Sequence, residues 1–184
     1  MTAKARSVSI FGRGPRTHLL TTKNQLLTDE DIGCPIPNVP ESVFGEYNWF
    51  LSSIRFGRIL SIAYNTLFSV SARLKPREAT LAAIEHIRTL LEHWRFQIPP
   101  DFRPGTDEPI RLTTEASTAT KFVVLRTQHG YYHLLIALER LTILHLDSTD
   151  KKTAERSKLT LMKTARRVIE LSKFIDIGPQ TPIL

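Results

Sequence analysis

Hydrophobic positions are densest between Thr118 and Leu146, in the stretch TATKFVVLRTQHGYYHLLIALERLTILHL. Wound at 3.6 residues per turn, these positions cover more than one face. A helix apolar on most sides is packed by neighbours on most sides. Arg126, His129, His133, Glu139 and Arg140 interrupt every window of about 18 residues, so the stretch is no membrane span. It is expected to be the central helix of a helical core, covering residues 114–146. Gly130 weakens helix propensity within it, which implies a close neighbour or a kink.

Three further segments carry period-3.6 patterns. In the first, at 44–73, Phe44, Tyr47, Phe50, Leu51, Ile54, Ile59, Ile62, Ala63 and Leu67 repeat at helical spacing. Ser42 is its expected cap, with Arg55 and Arg58 outward. The second, at 76–95, has one clean stripe of Leu81, Ile84, Ile87, Leu91 and Trp94. Pro76 suits its first turn. Trp94 reads as a core anchor before Pro99 and Pro100 forbid continuation. A loop over 97–113 leads to the central helix, with Thr113 or Thr114 as cap. The last helix, at 150–175, follows the capping run Ser148-Thr149-Asp150. Its expected buried face is Ala154, Leu161, Met162, Ala165, Val168, Ile169 and Ser172, opposite a basic side. No stretch alternates with period two. The fold class that follows is all-α: an irregular multi-helix bundle around a buried central helix, with extended proline-rich connectors.

Three stretches divide the chain: an irregular arm and acidic, proline-rich strap over 1–42, a helical domain over 43–177 and a tail over 178–184. A chain of 184 residues is long enough for one well-filled core. The single cysteine, Cys34, excludes an internal disulfide and any cysteine-rich zinc module. Met1 to Ser9 has no apolar leader pattern, so an intracellular setting is expected. The net charge of +7 permits weak attraction to nucleic acid or acidic surfaces, without selecting a partner.

Candidate chemistry is sparse. His129 and His133, at i and i+4, have a spacing that can chelate zinc. The residues between them, Gly130-Tyr131-Tyr132, lack the glutamate of a metalloprotease helix, and packing is the favoured role. Arg140 lies in so apolar a helix that it is expected to be at least partly buried. A buried guanidinium needs an acceptor. Asp29, Glu30 and Asp31 are the best candidates, because the apolar strap that follows them should cross the core. Cys34 has no second cysteine and no base beside it in sequence. Neither a Gly-x-Ser-x-Gly elbow nor a phosphate loop is present. No catalytic set or metal site emerges.

The ordered motifs resemble a known family. Ser7-Val8-Ser9-Ile10-Phe11-Gly12-Arg13 comes first, then Thr28-Asp29-Glu30-Asp31-Ile32-Gly33-Cys34-Pro35-Ile36-Pro37. Leu91-Glu92-His93-Trp94-Arg95-Phe96-Gln97-Ile98-Pro99 and Tyr132-His133-Leu134-Leu135-Ile136-Ala137-Leu138-Glu139-Arg140 follow. Thr164-Ala165-Arg166-Arg167-Val168-Ile169 is a weaker fifth. Together they resemble the C-terminal part of the fungal-specific transcription factor domain, the helical regulatory region downstream of a binuclear zinc cluster. Arg16 to Leu27 stand as an insertion, and Met1 falls just before the first motif. The zinc cluster and first helices of the family are therefore expected to be missing from this chain, which reads as a truncated copy, a partial gene model or a stand-alone descendant, and no cofactor is expected here. The resemblance implies nuclear transcription regulation, with the transcription machinery or a metabolite effector as partner and only weak, non-specific contact with DNA. Arg140, His133, Tyr132, Trp94, Asp29 and Asp31 are the structural or ligand candidates. The alternative is a stand-alone helical enzyme or small-molecule-binding protein on the same scaffold.

Overall fold

The computed structural model describes residues 44, 47–105, 112, 115–146 and 150–175. The N-terminal arm, the strap bearing Asp29, Glu30, Asp31 and Cys34, and the tail 178–184 lie outside the described residues. The described chain is all-α. Its helices are α1 (Trp49–Ala63), α2 (Arg77–Phe96), α3 (Thr118–His145) and α4 (Lys151–Leu171). No strand occurs among the described residues; an isolated bridge joins Phe44 and Tyr47.

Local capping sets the helix ends. α1 starts at Trp49 rather than at 44, because the Asn48 side chain accepts the Leu51 N–H at 3.0 Å. Past Ala63 the helix does not continue to 73. It widens into a π turn, Tyr64–Phe68, closed by the Ser69 N–H on the Tyr64 carbonyl at 2.8 Å. The Ser69 hydroxyl then takes the Asn65 carbonyl and the Ala72 N–H, offering the backbone an alternative to the helix. A 3-10 turn, Ala72–Leu74, leads to extended Pro76 and α2. α3 is capped by Ser117, whose hydroxyl accepts the Thr120 N–H at 3.1 Å, so it begins four residues beyond the expected Thr114. Asp150 caps α4 through the Thr153 N–H at 3.1 Å.

α3 is the hub, packed against α1, α2 and α4. Ile87, Leu91, Leu138 and Leu171 have no exposed surface. The α2 stripe of Ile84, Ile87, Leu91 and Trp94 faces inward as its pattern predicts. On α1, Phe50 and Ile62 of the expected stripe are exposed instead.

α4 corrects the expected buried face. Met162, Ala165, Ile169 and Ser172 are exposed, while Ser157, Thr164 and Leu171 form the buried row. The Thr164 hydroxyl is satisfied inside its own helix, by the Thr160 carbonyl at 2.7 Å. Small side chains with satisfied hydroxyls cost little to bury and let the helix sit close to its neighbour.

Gly130 marks a close approach. A Cβ there would stand 2.9 Å from the Phe56 ring, which itself stacks on Trp94 at 4.7 Å between centroids. Overpacking of this kind costs about 1–3 kcal/mol, against about 1 kcal/mol gained in helix propensity. Gly130→Ala is therefore expected to lower the melting temperature. Gly57→Ala, with nothing within 4 Å of the added carbon, should raise it. Thermal melts of the two variants check this pair.

Candidate functional site

Several polar groups meet along the α2–α3 seam. Arg77 donates to the His145 carbonyl, Arg88 to the Glu139 carboxylate, and Tyr131 to the Glu92 carboxylate at 2.6 Å. These contacts climb α2 as they descend α3, so the two helices are antiparallel. The Glu139 side chain is only 3% exposed and that of Arg88 27%. Glu92 also receives the Arg95 guanidinium at 2.8 Å. Burial, and then the Glu92 bond, push the Tyr131 phenol far above its usual range, so it remains a neutral donor.

Two of the expected residues are anchors. Trp94 donates its indole N–H to the Ser52 carbonyl at 2.9 Å, tying α2 to α1. The Tyr132 hydroxyl gives its proton to the Gly105 carbonyl at 2.9 Å and accepts the Gly105 N–H at 3.2 Å. It fixes the connector leaving α2 onto α3. Arg95 on the Pro104 carbonyl, Arg103 on the Ile98 carbonyl and Phe102 stacked on Tyr47 hold the same connector. Burial raises the Tyr132 phenol as well.

Arg140 is a correction. It is exposed, on the outer row of α3 with Phe122, Arg126 and His133, and the acidic strap expected to pair with it lies outside the described residues. Its neighbour Glu139 is the buried charge, and Arg88 is the partner. The one-residue step between them is a 100° rotation about the helix, which turns Arg140 to solvent. Glu139, Arg88, Glu92 and Tyr131 were missed by the sequence reading. Phasing α3 on Tyr131, Leu135, Leu138 and Thr142 places Glu139 on the inward side.

His133 is exposed and His129 half-buried, with ring centroids 5.6 Å apart. The His129 Nε2 and the Gln128 Oε1 are buried without a hydrogen-bond partner among the described residues. Desolvation lowers both histidines below their ordinary value, and His133 adds to the effect on His129. Both are neutral at pH 7. Among the described residues no three His, Cys, Asp or Glu side chains stand together as a metal would need. A histidine with a lowered folded-state pKa binds its proton more readily when unfolded. Stability should therefore be full above the unfolded value of 6.5 and fall as pH drops through the folded value. Urea titrations between about pH 7.5 and 5.5 should show this loss, and His129→Gln should reduce it.

Each carboxylate in the seam is held by an arginine, each tyrosine hydroxyl by a structural acceptor. The arrangement fixes helix register and loop position, and no activated nucleophile stands in it among the described residues. No family model matches the chain, and no solved structure does. Two curated proteins do. Over 123 residues, 66% of this chain, it is 32% identical to an ABC-transporter-regulating transcription factor of Aspergillus oryzae. The counterpart in Aspergillus fumigatus is 31% identical over the same length. The match spans 13% of each of these relatives. The chain is thus similar to a short stretch of fungal transcription-regulating proteins. No described helix is long and apolar enough to cross a membrane.

Proposed function

We propose that this chain is a regulatory or interaction segment in fungal transcription control, acting in the nucleus through contacts rather than catalysis. The observation that carries this is the identity of 32% across two thirds of the chain to a transcription factor. The saturated polar seam supports it, since a scaffold of this kind positions surfaces. By extension from the relatives' names, the genes affected include those for ABC transporters. Partners are the transcription machinery or a metabolite effector, and no cofactor is required.

The test is a reporter assay. Fused to an unrelated DNA-binding domain, the chain is expected to change reporter output several-fold. An inert fusion that is folded and nuclear would overturn the reading.

Contact with DNA should be weak and unselective, since only phosphate attraction by the basic faces is available. In an electrophoretic shift assay, any binding should fall steeply as salt rises, with no response to zinc. Zinc-dependent discrimination between two duplexes would refute it.

A further inference from the structure

Leu159, Met162 and Ile169 are 59%, 55% and 67% exposed. They lie on the row of α4 opposite Ser157, Thr164 and Leu171, the row that packs against the bundle. At 1.5 Å per residue they form one seam of about 15 Å. Single exposed hydrophobic residues are ordinary; three aligned opposite the packed row make a second apolar face on one helix.

Its surroundings are strongly basic. From Lys151 to Phe174 there are eight Lys and Arg against two Glu, most of the chain's net +7. Glu170 is bound to Arg167 at 2.7 Å, which leaves Glu155 as the remaining acid on this helix. Lys158 flanks the seam on one side and Lys163 on the other, and Arg166 stands within it, all three exposed.

We infer that this seam docks an acidic amphipathic helix from a partner protein, a deepening that rests on the interaction-segment reading above. An apolar row with charged flanks is how paired helices select one another: the row supplies burial, the flanks supply partner choice. A second copy would set Lys and Arg against Lys and Arg, at a repulsive cost. Nucleic acid would answer the charges but leave Leu159, Met162 and Ile169 in water. A bilayer needs a broad apolar face, whereas Leu161 and Val168 turn toward the bundle and are only partly exposed. An acidic helix with leucines at three- and four-residue spacing answers both features.

The probe is a fluorescein-labelled synthetic helix with leucines at that spacing flanked by glutamates, titrated with the intact chain by anisotropy. Met162→Ser and Ile169→Ser should each weaken binding about tenfold. Lys158→Glu with Lys163→Glu should do likewise, and a lysine-flanked version of the probe should not bind. The melting temperature of each variant, measured beside the parent's, separates lost docking from lost fold, and the exposed Met162, Ile169 and Lys158 should leave it near the parent's. The proposal is overturned if the seam variants bind the probe normally. It is also overturned if phosphatidylserine vesicles or duplex DNA bind more tightly through the same residues, or if the chain self-associates through Ile169. If the reporter fusion works while the probe fails, the docking seam alone falls. If the fusion is inert while the probe binds through the seam, the regulatory reading falls and the surface stands.

Discussion

Arg88→Met is expected to destabilise the fold by about 3–5 kcal/mol, the usual cost of stripping one partner from a buried ion pair. Glu139 carries the penalty. Its side chain is almost wholly enclosed, so a carboxylate without Arg88 has neither water nor cation. Glu139→Leu should cost less, because Arg88, partly exposed, can turn toward Glu85, 3.4 Å away, and toward solvent. The double variant Arg88→Met with Glu139→Leu should recover most of the loss, since replacing both charges by apolar groups is often near neutral. Chemical denaturation of the four proteins gives the coupling directly. Additive effects would mean that the pair does not act as a unit.

Trp94→Ala should cost a similar amount, about 3–5 kcal/mol, by opening a cavity where α1 and α2 meet. The ring is 4% exposed, stacks on Phe56 and donates to the Ser52 carbonyl. Trp94→Phe separates these contributions. It keeps much of the stacking and removes the indole donor, while the Ser52 carbonyl keeps its bond within α1, so the loss should be about 0.5–1.5 kcal/mol. Phe96→Ala, two residues on and 61% exposed, should stay within about 0.5 kcal/mol. A Phe96 effect equal to that of Trp94 would contradict the packing described.

What the sequence revealed depended on how one-sided each helix is. α2 has a single stripe, so its phase and its inward residues were legible in the pattern, Trp94 among them. α3 was legible as a buried helix, but an element apolar on most sides offers no contrast from which to fix its phase. Arg140 was therefore placed inward when Glu139 occupies that position. α4 misled for the opposite reason. Its largest hydrophobic side chains include the outward ones, and its buried row includes Ser157 and Thr164, which hydropathy counts as polar. The start of α1 turned on Asn48, while the expected cap, Ser42, lies outside the described residues, and the π turn after Ala63 has no signature in the spacing of hydrophobic positions. Tyr132 stood out by resemblance alone; its two bonds to Gly105 depend on a connector whose path the sequence does not specify.

Those two bonds have a mechanical consequence. Because one phenol holds both backbone groups of Gly105, the stretch from Gln97 to Gly105 cannot serve as a hinge between α2 and α3. The two helices, already crosslinked along their length, are therefore expected to move as one body, so amides of α2 and α3 should exchange hydrogen as one cooperative unit.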